Sequence, residues 1–356
     1  MKRLSSTRKL ILLLILGGVA VVFATCSPGY VIRAGIEEAK ILSRRRPIAD
    51  VIADPGTSPE IRAKLRLVTQ ARAFAEGQLG LAANESYTTY SWVDSDTLLM
   101  VVSAARKDKF EPYLWWFPIV GHVPYKGYFD FERAYSEARD LEQKGYDTNV
   151  RPSGAFSTLG WFNDPLLNTI LRYDDVSLVE TVVHEILHNS IYLSGQAGFN
   201  ESLANFVGDR GSIMFFCARE GPGEKRCKDA DTLWHDNLVF GAALSDLVAK
   251  LEGVYNNGSY TTEEKLAQRE VVFKEWAAHY RTEVVPQLQW AFKRYADSPL
   301  NNARLIGTRL YYQHLDLFEQ VYQKYQANLP ATIRAIIAAA KQSGDHPFEA
   351  VQQLLR

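Results

Sequence analysis

The chain has 356 residues, enough for one large domain or two modest ones, each able to bury a core. Hydrophobic residues make up 47% and charged residues 23%, the balance of an ordinary globular protein. A net charge of −1 gives no electrostatic footprint for nucleic acid, so none is expected as a partner. Aromatic residues are plentiful, with 18 Tyr, 17 Phe and 7 Trp; they serve equally as core contacts or as walls of a substrate cleft.

Residues 1–25 read as a targeting segment rather than part of the fold. Lys2, Arg3, Arg8 and Lys9 form a basic front, and Leu10 to Ala24 is an unbroken apolar or glycine run. That run is short for a bilayer crossing and suits a signal-peptide core. Cys26 follows directly, in Phe23-Ala24-Thr25-Cys26-Ser27. A cysteine there resembles a bacterial lipoprotein processing site, where the thiol carries the lipid, although Thr25 stands where a smaller residue is usual. An uncleaved anchor and a plain cleaved signal are the other two readings. All three carry the rest of the chain across the membrane, to the periplasmic side of a bacterial cell envelope. Residues 26–170 then form a helical and β region, and residues 171–356 a helical lobe.

In chain order, Gly35 to Ser43 and Ser58 to Leu79 have apolar residues at helical spacing, punctuated by Pro47 and Asp54-Pro55-Gly56. Tyr87 to Val102 has the composition of paired strands. Within this region, Thr97–Ala105 is either a core strand or an exposed sheet edge, to which a peptide could add its backbone as a further strand. Trp115 to Gly121 is aromatic and turn-broken. Phe131 to Lys144 reads as a helix with Gly145 as its stop, and Tyr146 to Val150 as a short strand. Ser157 to Phe162 is either a cleft wall or a tight turn.

From Asp175 onward the chain reads as almost wholly helical. Ser177-Leu178-Val179-Glu180 is a capping-box pattern heading an apolar run that should continue through Ile191 or Tyr192. A loop, Ser194 to Gly198, leads to a second helix starting near Asn200. Cys217 and Cys227 either close a disulfide loop around Glu220 to Gly223 or are two buried thiols; an oxidising compartment favours the disulfide. Amphipathic segments follow at Thr232–Val254, Thr262–Asp297, Asn302–Ala327 and Pro330–Ser343.

The helix headed by Ser177 carries His184-Glu185-Ile186-Leu187-His188, an HExxH motif. Residues four apart lie one above the other on a helix, so two imidazoles can chelate one small cation. Glu185 is rotated by one residue, too far round to ligate the same ion but able to reach a water on it as a general base. Glu201, thirteen residues after His188 and across a glycine-containing loop, supplies a third ligand. Two His and one Glu leave a fourth position open, as a catalytic Zn²⁺ site requires. Asn205, one turn beyond Glu201, is placed to orient a ligand histidine. The bland alternative is a helix with two satisfied core histidines. His122, His235, His279, His314 and His346 default to structural roles.

HExxH followed by Asn200-Glu201 on the next helix resembles the glutamate-ligand zinc peptidases. The chain as a whole is similar to a bacterial family described as zinc aminopeptidases, often lipoproteins. The likeness is carried by Arg46-Pro47-Ile48, Tyr125 to Phe129, Ser157 to Phe162, His184 to His188, Phe199 to Glu201, Asn301 to Leu305 and Tyr311-Tyr312. It implies an α+β fold: a small, mostly antiparallel sheet and a large helical lobe, with the zinc between them. It also implies a Tyr that stabilises the developing oxyanion, so Tyr311 and Tyr312 are candidates, with packing roles as the alternative. Trp116 and His122 stand where relatives carry a cysteine pair. The implied function is zinc-dependent hydrolysis of peptides or proteins. An aminopeptidase must hold its substrate's ammonium, with Asp94, Asp96 and Glu180 as candidates. An envelope endopeptidase and a non-catalytic zinc-containing envelope protein are the alternatives; Glu185 argues against the latter.

Overall fold

The computed structural model describes residues 28–94, 97–117, 121–153 and 165–356. The targeting segment, Cys26, Asp96 and the Ser157 to Phe162 stretch lie outside them. Helix α1 (Pro28–Ser43) leads to β1 (Arg46–Pro47), α2 (Ile48–Ala53) and α3 (Pro59–Gly77). The Ser58 hydroxyl caps α3 by accepting from the Ile61 amide at 3.3 Å. A first small sheet sets β1 antiparallel to β2 (Thr89–Ser91), with β8 (Leu166–Leu167) parallel on the other side of β2.

The second sheet is antiparallel. Its centre is β3 (Leu99–Arg106), between β6 (Tyr125–Tyr128) and β7 (Tyr146–Ser153). The sequence allows β3 to be an exposed edge; the structure makes it the central strand. Leu99 to Val102 is apolar on both faces, as a strand covered on both sides must be. Met100, Val102 and Ala104 pack on α4 (Phe131–Gln143) through Ala134, Ala138 and Leu141. Leu99 and Val101 pack on Ile41 and Leu167 on the other face. β2 and β3, expected to pair, belong to different sheets. A separate hairpin joins β4 (Trp115–Phe117) to β5 (Gly121–Val123), with Trp116 directly opposite His122.

The helical lobe comprises α5 (Asp175–Ser190), α6 (Ala197–Glu220), α7 (Lys225–Tyr255), α8 (Thr262–His279), α9 (Asn302–Arg309), α10 (Leu315–Lys324), α11 (Leu329–Ser343) and α12 (Pro347–Gln353). The cap of α5 is Asp174, whose carboxylate accepts from the Val176 and Ser177 amides, both at 3.0 Å. This displaces the expected Ser177 cap by one turn, because Asp174 is the stronger acceptor beside the helix's positive end. The Thr262–Asp297 segment is not one helix. It passes into a π turn at Tyr280–Val284 and a 3-10 turn at Val285–Gln287, where Pro286 has no amide hydrogen to continue the ladder. Asn302–Ala327 is also broken, between Leu310 and His314. Cys217 and Cys227 are bonded, joining the end of α6 to the start of α7.

The largest core runs from Ile48 and Leu65 through α5 and α6 to Ile336 and Val351. Val179, Val182, Val183, Ile186 and Leu187 of α5 are each 0% exposed. Each such side chain contributes about 1.5–3 kcal/mol by burial. With α3 and α6 packed against it, α5 is held in one rotation, and that rotation aims the motif. Among the described residues, no helix is long and apolar enough to cross a membrane.

Candidate metal centre and active site

His184 and His188 stand one turn apart on α5, with ring centroids 5.1 Å apart and planes at 82°. The loop after α5 is clamped by Asn200, whose amide accepts from the Leu193 N–H at 3.0 Å and donates to the Leu193 carbonyl at 2.8 Å. The clamp starts α6 three residues before Asn200, at Ala197, and fixes Glu201 opposite the histidines. Glu201 Oε2 lies 3.3 Å from His184 Nε2 and 3.8 Å from His188 Nε2. One ligand atom from each of the three residues falls within 4.8 Å of the others. Donors about 2.0–2.1 Å from a tetrahedral ion lie about 3.3 Å apart, so the Glu201–His184 distance matches a small cation and the Glu201–His188 distance is longer.

The electrostatics set the two histidines apart. Burial alone would lower the His184 pKa, but the hydrogen bond to Glu201 and the charges of Glu185, Glu180 and Glu201 outweigh it and raise it to about 9. Burial and the His184 charge lower the pKa of His188, favouring the neutral form a metal ligand needs. Burial opposes the Glu201 charge, yet its bond to His184 and both imidazoles hold it below the usual carboxylate range. Glu185 points out to solvent between the buried Val183 and Ile186 faces, off the ligand cluster.

Tyr311 and Tyr312 sit in the break between α9 and α10, not on a helix. Side chains of α6 hold this break open. The Ser202 hydroxyl donates to the Leu310 carbonyl and accepts from the Gln313 amide, both at 2.9 Å. The Asn205 amide donates to the Tyr311 carbonyl at 2.9 Å. Asn205 therefore positions Tyr311 rather than a ligand histidine. The Tyr311 ring lies 6.2 Å from the His184 ring, nearly parallel to it. Burial, then the Glu201 charge, raises its pKa, with Arg151 acting in the opposite sense, so the phenol keeps its proton. Tyr312 faces away, edge-on to Phe240 at 4.9 Å and Phe292 at 5.5 Å, bridging the two largest cores.

Two further residues were not singled out by the motif. Tyr125 and Arg151 project from the same face of the second sheet, since Tyr125 opposes Ser103 and Arg151 opposes Val101, two residues along β3. Tyr125 feels the charges of Tyr192 and Glu201, and its pKa is raised first by burial. The signal for Tyr125 was its place in the Tyr125 to Phe129 stretch; Arg151 had none. Glu180, a candidate for the substrate ammonium, turns inward, with Oε1 3.7 Å from His184 Nδ1. Asp94, another candidate, pairs with Arg44 at 3.1 Å on the surface.

Fold and site together define an α+β protein with a two-histidine, one-glutamate cluster able to hold a metal ion. The chain belongs to the family described as "Putative aminopeptidase", whose sequence model matches residues 29–350. No curated protein and no solved structure matches it.

Proposed function

We propose that the protein is a zinc-dependent aminopeptidase in which His184, His188 and Glu201 hold the metal and Glu185 is the general base. The observation that carries this reading is the convergence of two imidazoles and one carboxylate, their ligand atoms within 4.8 Å of one another, in a member of a family described as aminopeptidases. When bound, zinc supplies Lewis-acid polarisation of the scissile carbonyl and lowers the pKa of a water molecule. Glu185 takes the proton of the attacking water and hands it to the departing amine. Tyr311, kept protonated by its surroundings, donates to the carbonyl oxygen as that atom gains charge. Asn205 and Ser202 fix the turn that presents it.

A second reading, an endopeptidase, is favoured by one observation. Of the carboxylates expected to hold a substrate ammonium, Asp94 is turned to Arg44 and Glu180 to His184. For location, the basic front, the apolar run and Cys26 support export to the bacterial envelope and attachment there by lipid or anchor, and the Cys217–Cys227 bond suits an oxidising compartment.

The decisive experiment is Glu185→Gln. The variant is expected to keep its zinc, measured by metal analysis, and to lose peptide hydrolysis by roughly 10²- to 10⁴-fold, the range for removing a general base. Wild-type turnover in a zinc-loaded variant would refute the mechanism.

A further inference from the structure

A metal-binding imidazole works best when its other nitrogen is tied to an acceptor, which fixes the ring and strengthens the ligand. The two histidines here differ in this respect. His188 Nδ1 is buried and has no hydrogen-bond partner among the described residues. His184 Nδ1 faces a carboxylate, that of Glu180, at 3.7 Å. Glu180 lies four residues earlier on α5, on the same face as His184. Asn205 of α6, the other polar residue expected to support a ligand histidine, has its amide nitrogen on the Tyr311 carbonyl.

What makes room for Glu180 is on the facing helix. Gly208 of α6 packs directly against it: a Cβ at position 208 would lie 2.9 Å from the Glu180 carbonyl oxygen and 2.9 Å from its Oε1. Those are approaches real Cβ atoms do not make, so any side chain there must displace the carboxylate or push the helices apart. Neighbouring Asp209 is buried and accepts from Asn237 Nδ2 at 2.7 Å through Oδ2, while its Oδ1 has no hydrogen-bond partner among the described residues.

We propose that Glu180 is the residue that positions His184 for metal binding, and that Gly208 is the space its carboxylate occupies. This deepens the metal-centre reading above and rests on it. At 3.7 Å the contact is longer than a hydrogen bond. A small rotation of the His184 ring, toward an ion shared with His188 and Glu201, is what would shorten it. Support is therefore one-sided: His184 is the braced ligand and His188 the unbraced one.

The test measures zinc affinity by chelator competition, with the unfolding midpoint of the metal-free protein as control. Glu180→Gln, nearly identical in shape, is expected to weaken zinc binding roughly tenfold to a hundredfold, the usual effect of losing such a support, with the midpoint unchanged. Gly208→Ala is expected to weaken it as well, by displacing the carboxylate, and to cost less when residue 180 is already changed by Glu180→Ala, where only the approach to the residue-180 carbonyl remains. Wild-type zinc affinity in Glu180→Gln would overturn the proposal, whether or not Gly208→Ala folds. Additive losses in the double variant would overturn the part assigned to Gly208. A wild-type protein with no zinc affinity would overturn the metal centre itself, and this inference with it.

Discussion

Tyr311 and Tyr312 are neighbours in sequence with opposite surroundings, and only the structure separates them. One ring lies over His184, and the other packs between Phe240 and Phe292. On the proposed mechanism, removing the Tyr311 hydroxyl deletes an oxyanion donor, worth roughly a hundredfold in kcat by comparison with other such donors. Tyr311→Phe is therefore expected to lower kcat by about that factor while leaving zinc content and KM near wild type, and Tyr312→Phe to leave kcat unchanged. Steady-state kinetics of both variants checks this, and equal losses would remove Tyr311 from the mechanism. At this scale the pairing of His184 with His188 was legible, because spacing on a single helix fixes which side chains share a face. The Glu201 partnership was legible through Asn-Glu on the following helix. The tyrosines, Glu180 and Arg151 were not, because their orientation depends on where a helix breaks or which strands pair.

The break between Leu310 and His314 shows why elements were harder to read than motifs. Apolar periodicity runs through it, so the sequence suggests one continuous helix from Asn302 to Ala327. The interruption comes from outside the segment, from Ser202 and Asn205 of α6, which satisfy the carbonyls and amide that a helix would pair internally. The Pro286 break carried its own mark in the sequence, a residue that cannot donate. Strand β3 was misleading in another way: its length and composition fit an edge or a centre, and only the packing of both faces decides. The α6–α7 connection, by contrast, was marked by its cysteines. Bonding Cys217 to Cys227 closes a loop with a sequence separation of 10. Restricting so short a loop in the unfolded chain is worth about 2–3 kcal/mol. Replacing both cysteines by serine is expected to destabilise the protein by about that amount in denaturant unfolding, without changing zinc affinity, because the bond lies at the far end of α6 from Glu201. A zinc affinity that falls with the bond would mean that α6 is not held independently at its two ends.

For the molecule as a whole, one core joins residues from Ile48 to Val351, so the two helices that carry the ligands are braced by segments from both halves of the chain. That rigidity suits a site that works by holding charges in place. On the proposed function, substrate is selected between the sheet face bearing Tyr125 and Arg151, whose groups act on Glu201 and Tyr311, and the helix bearing His184. An aminopeptidase recognises a free ammonium, and a buried or half-buried carboxylate is its natural partner. Acetylating the substrate removes that charge and leaves the partner unpaired, which costs several kcal/mol. Amino-acetylated short peptides are therefore expected to be cleaved roughly a hundredfold or more slowly than the free peptides. The comparison is made by following product release from matched pairs, with the cleaved bond identified by mass spectrometry. Membership in a family described as aminopeptidases supports the slower outcome. The inward turn of Glu180 and the surface pairing of Asp94 point the other way. Equal cleavage of both peptides, at internal bonds, would make the enzyme an endopeptidase, and the roles given to His184, Glu185, His188 and Glu201 would stand unchanged.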